Sequence, residues 1–262
     1  MKAGKILLPV LFVLAMVIAL ALALTGGGSL GGKPAPLLTN ATLVPIMGAE
    51  GDFALFLNIE NRGAPERLTG ASSPEAGQIG IDGTDAPEGL VIPGGTAPSL
   101  SSDGAFLRLS GLTGPVEEGR LVPLRVHFAG AGDIATRARI ATATPSHAMH
   151  GMDAAYDVPA GETPPRIGVV LSPDGDDWQV RLDLRDITLS PDTVDMPHQP
   201  GQGHAHLYLN GLKLQRMYTP EARIGTLPPG RHIVEVTLNT NDHRAFRVNG
   251  ETVSAIAMID MR

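Results

Sequence analysis

Apolar and polar residues alternate along several short stretches of the chain, and a period of two predicts β-strands rather than helices. Residues 178–185 (WQVRLDLR) carry an apolar side chain at every second position, and residues 203–209 (GHAHLYL) repeat the pattern. The Asn-Gly pair at 210–211 supplies the positive φ angles of a tight turn, so residues 212–217 should complete a β-hairpin. Between residues 37 and 141 no helical period of ten or more residues occurs. The pattern therefore predicts an all-β protein.

The order of these segments predicts two antiparallel β-sandwich domains of the cupredoxin or immunoglobulin type, after an N-terminal hydrophobic helix. Clusters of Gly, Pro, Asn and Asp separate the predicted strands and mark the divisions between the larger units. The predicted units are a signal anchor or signal peptide (1–24), a flexible tether (25–36), a first β-sandwich (37–141), a His/Met-rich connector (142–165) and a second β-rich domain (166–262).

The N-terminal segment reads as an export signal. Two lysines occur in the first five residues, and residues 6–24 then carry no charge. As a helix this run would be about 28 Å long, which is close to the hydrocarbon thickness of a bilayer. Its length favours an uncleaved inner-membrane anchor with the rest of the chain in the periplasm, although Ala-Leu-Ala at 21–23 leaves a cleaved signal peptide open.

Composition excludes several classes of function. The formal charge of −7, with no run of Lys or Arg beyond the N-terminus, argues against nucleic acid as a partner. The sequence contains no cysteine, which excludes disulfides, thiolate nucleophiles, Cys-rich zinc sites and a lipid-modified cysteine. No nucleophile elbow, phosphate loop, dinucleotide fingerprint or zinc-protease motif occurs, so the protein is predicted not to be an enzyme.

Two histidines on the 203–209 strand are the first candidate for chemistry. His204 and His206 are two residues apart, so their imidazoles share one face of the strand, roughly 7 Å apart along it. A metal can reach both from that face. The alternative is that they are surface histidines on a half-buried strand whose leucines face the core.

Further imidazole and thioether groups cluster near this pair in the sequence. A segment rich in His and Met occupies residues 147–152 (HAMHGM), and Asp-Met-Pro-His at 195–198 leads into the strand. Mixed His/Met ligation suits Cu(I), two or three imidazoles suit Cu(II), and zinc with three histidines is the weaker alternative because the methionines would stay unused. His232 and His243 are interpreted as structural histidines outside the site. The candidate metal ligands are His147, Met149, His150, Met152, Met196, His198, His204 and His206.

The first predicted domain carries motifs of a known family. They comprise residues 58–63 (NIENRG), 67–74 (RLTGASSP), 76–77 (AG), 92–95 (IPGG), Leu112, 118–119 (EG) and 122–128 (VPLRVHF). In this order and spacing they resemble the periplasmic copper chaperone domain called PCuAC. The resemblance implies a cupredoxin-like β-sandwich, in which family members hold Cu(I) with two histidines and two methionines.

The family's ligands are missing from this chain. Asp82 stands where the first family histidine is expected, the segment for the first methionine is shortened between residues 83 and 90, and Phe106-Leu-Arg108 replaces a His-x-Met pair. An aromatic ring, a cation and one carboxylate do not make a soft-ligand copper site. This domain is therefore predicted to have lost its metal, with Met47 and His127 as ordinary packing or surface residues.

Two functions follow from these patterns. The first is a periplasmic copper-binding protein that takes copper from a donor and passes it to an acceptor in the periplasm or inner membrane. It would use a site in the connector and the second domain, which itself resembles exported β-domains that often accompany copper proteins. The alternative is a metal-free, membrane-anchored interaction or assembly module built from the two β-sandwiches.

Overall fold

The computed structural model describes residues 34–141 and 155–262 of the chain. Short strands, separated by turns and loops, occur throughout these two ranges. These residues form twenty strands and no α-helix, so the all-β prediction is confirmed. No helix among them is long and apolar enough to cross a membrane. The predicted N-terminal helix, nearly all of the tether and the candidate ligands His147, Met149, His150 and Met152 lie outside the described residues.

The first half of the chain contributes nine strands. They are β1 (Leu37–Pro45), β2 (Asp52–Glu60), β3 (Glu66–Ser72), β4 (Gln78–Asp82), β5 (Leu90–Ile92), β6 (Ser99–Leu100), β7 (Phe106–Ser110), β8 (Leu121–Phe128) and β9 (Gly132–Ile140). β1 pairs with β2 in antiparallel register and with β9 in parallel register. β2 continues to β7 and β4, and β9 continues to β8, β3 and β5.

The second half contributes eleven strands. They are β10 (Ala155–Asp157), β11 (Arg166–Asp174), β12 (Asp177–Arg185), β13 (Thr188–Leu189), β14 (Gln202–Leu209), β15 (Leu212–Met217), β16 (Glu221–Ile224), β17 (Gly230–Asn239), β18 (Ala245–Val248), β19 (Glu251–Thr252) and β20 (Ser254–Met261). β15, β14, β17 and β20 are antiparallel neighbours in that order. β11, β12 and β16 form a separate three-stranded sheet.

Two hairpins form where Asn-Gly pairs occur, and one of them is the hairpin predicted at 210–211. Asn210 and Gly211 join β14 to β15 with φ angles of 49° and 80°, and Asn249 and Gly250 join β18 to β19 with 52° and 87°. Asn tolerates the left-handed region better than most residues and Gly does so without steric cost, which is why this dipeptide closes two-residue turns. The hairpin at 210–211 positions the strand that carries His204 and His206.

A short strand joins the two halves of the chain. β6 pairs with β2 through Asn58 and Ser99 on one side, and with β15 through Ser99 and Lys213 on the other. One sheet therefore runs through β9, β1, β2, β6, β15, β14, β17 and β20, and the described residues from 35 onwards form one compact unit. The arrangement of these strands as two separate sandwiches stays a prediction.

The core lies on the apolar faces of these strands. Leu43, Leu55 and Leu57 of the first half are almost completely buried, as are Leu207 and Val236 of the second half, and all belong to one hydrophobic cluster. Burial of a leucine or valine side chain contributes about 1.5–3 kcal/mol. The hydrophobic effect thus fixes which face of each strand points inward, and the polar residues between them are left on the opposite face.

A close backbone contact forms a second junction between the halves. The Gly94 amide donates a hydrogen bond to the Thr226 carbonyl at 2.9 Å. A Cβ added to the neighbouring Gly225 would lie 1.7 Å from the Gly94 carbonyl oxygen, which is far inside contact distance. We therefore expect Gly225→Ala to force the two segments apart and to lower the free energy of unfolding by about 1–3 kcal/mol.

Urea unfolding measures this effect. Gly80→Ala is the matched control, because a Cβ there meets nothing within 4 Å, and it should change the free energy of unfolding by less than about 0.5 kcal/mol. Equal stability of the Gly225→Ala and Gly80→Ala variants would contradict the tight junction.

Candidate metal centre

β14 is buried on both of its faces. Ala205, Leu207 and Leu209 point into the hydrophobic core, as the alternation predicts. On the opposite face His204 is 0% exposed and His206 is 2% exposed. The interpretation of these residues as surface histidines on a half-buried strand is therefore wrong. Alternation assigns the two faces of a strand but cannot tell whether a loop covers the polar face.

The two imidazoles of β14 lean towards each other. Their ring centroids are 4.8 Å apart, and the Nε2 atoms of His204 and His206 are separated by 3.0 Å. This separation is much shorter than the residue spacing along the strand, which is roughly 7 Å over two residues. Both side chains thus present ring nitrogens to the same point.

A third histidine meets them through the strand register. His204 pairs with Asn239 at the end of β17, and the chain then turns through residues 240–244 before β18 begins. The His243 amide donates to the Thr240 carbonyl, and His243 itself has a φ of 68° in this turn. The turn brings the His243 ring to 4.8 Å from the His204 ring. His243, interpreted from the sequence as a structural histidine, thus belongs to this cluster.

A carboxylate orients the His243 ring. The Nε2 atom of His243 lies 2.5 Å from Oδ1 of Asp195, and the Asp195 amide donates to the carbonyl of Asn241 in the same turn. The hydrogen bond to the carboxylate places the ring proton on Nε2. Nδ1 is then the nitrogen of His243 with a lone pair to offer a metal.

Asp103 orients the His206 ring in the same way. Its Oδ2 lies 2.7 Å from His206 Nδ1 and also accepts hydrogen bonds from the Tyr208 hydroxyl at 3.1 Å and from Lys213 Nζ at 2.5 Å. A proton on His206 Nδ1 leaves the lone pair on Nε2, which is the atom that faces His204. Carboxylate–histidine pairs of this kind fix the tautomer of metal-binding histidines.

The loop between β6 and β7 brings Asp103 to the second half. The Ala105 amide donates to the carbonyl of Gly211 at 2.9 Å, and Thr84 Oγ1 donates to the carbonyl of Asn210 at 3.1 Å. The β14–β15 turn is therefore held by one backbone and one side-chain hydrogen bond from the first half. Asp103 of the same loop contacts His206 and Tyr208 on the polar face of β14.

Burial controls the protonation of the cluster. It lowers the pKa of His204 to about 2, and the neighbouring His206, His243 and cationic side chains add to the shift. Burial also lowers the pKa of His206 to about 4, against the opposing effect of the Asp103 hydrogen bond. Both imidazoles are neutral at physiological pH, which is the form that binds metals.

The buried ion pair behind His206 keeps its charges. Burial by itself would raise the pKa of Asp103, but the hydrogen bond from His206 and the charge of Lys213 outweigh it and hold that pKa well below its usual range. For Lys213, burial is the largest effect and lowers the pKa, while Asp103 opposes the shift. Since their side chains are only 18% and 8% exposed, solvent screens this pair weakly.

The donor set fits a transition metal. One ring nitrogen from each of His204, His206 and His243 lies within 4.8 Å of the others, so that modest side-chain movements bring all three to one ion. His204 Nδ1 is buried without a hydrogen-bond partner. Three imidazoles suit Cu(II) and Zn(II), and Cu(II) binds such nitrogen ligands more tightly.

A cavity of about 900 Å³ adjoins the centre. His206, Lys213, Asp103 and His243 line one end of it. Its remaining wall is the polar face of the continuous sheet and includes Thr42, Phe56, Asn58, Ser99 and Gln215. The buried histidines therefore have a route to solvent between the two halves.

The other predicted histidine ligand of the described chain, His198, has partners outside the cluster. His198 stacks on Tyr156 at 4.2 Å, and its Nε2 lies 3.1 Å from Oε1 of Glu162, which also accepts a hydrogen bond from the Tyr156 hydroxyl through its other oxygen. Met196 is 48% exposed. Within residues 34–141 and 155–262, the group of three potential ligands that contains His204 does not include His198. Met196 as a ligand stays a prediction.

The positions of the missing PCuAC ligands form an ion-paired cluster. Arg108 Nη2 lies 2.5 Å from Asp52 Oδ2, and Arg108 Nη1 lies 3.4 Å from Asp82 Oδ2. Phe106 packs edge to face against Phe56. The guanidinium pairs with both carboxylates at this place. Elsewhere in the first half Met47 is 77% exposed and His127 bonds to Asp133 at 2.6 Å.

Sequence reasoning missed three residues of the centre, namely His243, Asp103 and Lys213. His243 lies 37 positions after His206, and only the pairing of His204 with Asn239 shows that the following turn returns to the site. Asp103 is more than 100 positions away, in a loop with no motif of its own. Lys213 could have been noticed from the sequence because it is the one lysine in a hairpin strand whose neighbours, Leu212 and Leu214, are apolar.

Comparisons with known proteins identify the first half of the chain. Residues 38–140 match the family model "Putative lipoprotein LpqE-like". No curated protein matches the chain. The similar solved structures include the copper-bound PCuAC domain from PmoF2 (15% identity, 43% of this chain and 97% of that chain, TM-score 0.37) and the apo PCuAC domain from PmoF1 (18%, 43% and 98%, TM-score 0.38).

A third similar structure is CuI-DR1885 from Deinococcus radiodurans, with 19% identity over 45% of this chain and 85% of that chain and a TM-score of 0.34. What this chain binds does not follow from structural similarity at these identities and TM-scores. The family match covers the same residues as the motifs found in the sequence. Residues 38–140 are therefore similar to the LpqE-like family, over the same part of the chain that carries the PCuAC-like motifs.

Proposed function

We propose that this protein is an exported copper-binding protein that carries copper between other proteins and is not an enzyme. The observation that supports the proposal most directly is the buried cluster of His204, His206 and His243, whose ring nitrogens lie within 4.8 Å of one another. Copper is the cargo of this site. The PCuAC-like N-terminal domain agrees with a copper-handling role, although the family's own ligand positions hold Asp82, Phe106 and Arg108.

The chemistry of the cluster favours reversible binding. Neutral imidazoles bind Cu(II) without first losing a proton, and the carboxylates of Asp103 and Asp195 hold two of the rings in a metal-binding tautomer. The cavity beside His206 gives a partner access to the ion. A partner could replace the histidine ligands of the copper ion one at a time and so take over the ion. Such stepwise exchange is expected of a copper carrier and not of a permanent structural metal site.

The proposal includes the location and partners of the protein. Residues 6–24 would anchor it in the inner membrane, with the β-strands in the periplasm. A copper donor and a copper acceptor in the periplasm or inner membrane would be its partners. The connector residues His147, Met149, His150 and Met152, with Met196 and His198, would supply the mixed thioether and imidazole donors that suit copper delivered by the donor as Cu(I).

A metal-free interaction module is the second candidate function. The observation that favours it is the hydrogen-bonded network of Lys213, Asp103, Tyr208 and His206, which links the two halves of the chain without a metal. In that case the buried histidines would contribute to structure alone. The module would present the joined strands to a protein partner.

Copper titration of the untagged full-length protein distinguishes these functions. We expect one equivalent of Cu(II) to bind with a dissociation constant below about 1 μM, corresponding to about −8 kcal/mol. Elemental analysis after gel filtration measures the stoichiometry, and competition with a chromophoric chelator measures the affinity. Absence of bound copper and of bound zinc under these conditions would leave the interaction module as the better account.

A further inference from the structure

Lys213 is an unusual lysine in this chain. The sequence contains four lysines, at positions 2, 5, 33 and 213, whereas arginines occur throughout the strands. Lys213 is thus the only lysine after residue 33, and its side chain is 8% exposed. Burial of an ammonium group is costly unless it is paired, and Asp103 supplies the pairing carboxylate.

The position of this ammonium group is specific with respect to the histidine cluster. Lys213 Nζ lies 3.4 Å from Nε2 of His206, which is the nitrogen that carries the lone pair because Asp103 binds Nδ1. The Nε2 atom of His204 contacts the same nitrogen at 3.0 Å. A lysine ammonium is a hydrogen-bond donor only, so it shares with the His204 ring the lone pair that a metal ion needs. A divalent cation at His206 Nε2 would also lie within a few ångströms of a positive charge, in a poorly screened environment.

We infer that Lys213 is a built-in competitor of the metal: its ammonium group lies against the lone pair of His206, beside the His204 ring, and copper binds only when Lys213 leaves that position. The inference rests on the proposed function. The cavity beside the cluster has room for the displaced side chain, since Lys213 itself lines it next to His206. Lys213 therefore sets the affinity of the site and makes release of copper easier, because the ammonium group replaces the departing ion.

Loss of the Lys213 charge should strengthen copper binding. Lys213→Gln keeps a hydrogen-bond donor for Asp103 but removes the charge, and it leaves the Asp103 carboxylate to stabilise the bound cation. We expect the dissociation constant for Cu(II) to fall by at least 10-fold in the full-length protein. Lys213→Arg retains the charge and should stay within about 3-fold of the wild type.

Arg216→Gln is the matched control for general electrostatics. Arg216 lies on the same strand and lines the same cavity, but its side chain is exposed and makes no hydrogen bond or ion pair to His206. Its charge contributes to the lowered pKa of His204 and His206, so its replacement measures the general effect of one nearby positive charge. We expect a change in affinity of less than about 3-fold, since solvent screens exposed charges. An equal gain from Lys213→Gln and Arg216→Gln would overturn the specific role of Lys213.

Lysine acetylation supplies a measurement that needs no variant. We expect a water-soluble acetylating reagent to modify Lys213 slowly in EDTA-treated protein and several-fold faster after one equivalent of Cu(II), as mass spectrometry with Lys33 as internal reference would show. Unchanged acetylation on copper binding would contradict displacement. So would weaker copper binding by Lys213→Gln, because Lys213 would then assist the metal.

The outcomes separate this inference from the proposed function. If the wild-type protein binds no copper, the proposed function fails and the competitor role fails with it. If the wild type binds copper but Lys213→Gln binds it equally well, the competitor role alone is wrong. Thermal unfolding of each variant without metal confirms that differences in affinity come from folded protein.

Discussion

Replacement of His206 by alanine is expected to weaken Cu(II) binding by at least about 100-fold. His206 lies at the centre of the cluster, with Nε2 3.0 Å from His204 Nε2 and Nδ1 held by Asp103. Loss of a residue that only orients a ligand typically reduces metal affinity 10- to 100-fold, so loss of a ligand itself should cost more. Competition with a chromophoric chelator measures the change, and the Cu(II) electron paramagnetic resonance spectrum should show fewer coupled nitrogens.

Two further variants control this result. His127→Ala removes a histidine that pairs with Asp133 on the first half and should leave copper affinity unchanged. His243→Asn keeps a side chain that tolerates the positive φ of the turn, and it should lower affinity at least about 10-fold without a large loss of stability. Wild-type affinity in both His206→Ala and His243→Asn would show that copper binds elsewhere.

Replacement of Asp103 by alanine is expected to lower the free energy of unfolding of the metal-free protein by about 3–5 kcal/mol. The change leaves the buried Lys213 ammonium without its counter-charge and removes the acceptor for Tyr208 and His206. Removal of one partner of a buried ion pair is strongly destabilising because the remaining charge stays desolvated. Urea unfolding followed by the fluorescence of Trp178, the single tryptophan, measures the effect.

A double variant tests the physical cause of this loss. Asp103→Leu combined with Lys213→Leu removes both buried charges, and we expect it to recover at least half of the stability lost by Asp103→Ala. Asp133→Ala is the exposed counterpart, because Asp133 pairs with a histidine near solvent, and it should cost less than about 1 kcal/mol. A loss of less than 1 kcal/mol for Asp103→Ala would mean that the network does not hold the two halves together.

The histidine cluster lies at the seam between the PCuAC-like part and the second half of the chain. Asp103 comes from the first half, the three histidines and Lys213 come from the second, and the adjoining cavity is lined by both. Metal binding and the association of the halves are therefore coupled through Asp103. A partner that opened this seam would remove the carboxylate from His206 and weaken the hold on copper.

Local sequence patterns were sufficient to predict strands and a hairpin that the structure contains. The alternation at 178–185 corresponds to β12, and the two Asn-Gly pairs close the β14–β15 and β18–β19 hairpins because their backbone angles are a local property. The motifs at 58–128 likewise lie within the matched family region. Sequence also showed that His204 and His206 share a face, since the side-chain period of a strand is two.

Contacts between segments distant in the sequence determine the burial of the β14 histidines and the residues that surround them. Burial of the polar face of β14 depends on the docking of residues 101–105, and no pattern within 203–209 encodes that event. His243 joins the cluster through the β14–β17 register, and Asp103 through the β6–β15 pairing. The sequence by itself thus determined the all-β character, the hairpins and the shared face of two histidines, because these depend on neighbours in the chain. Only the tertiary structure decided which third ligand, which carboxylates and which cation surround them, because long-range strand pairing and loop docking select those neighbours.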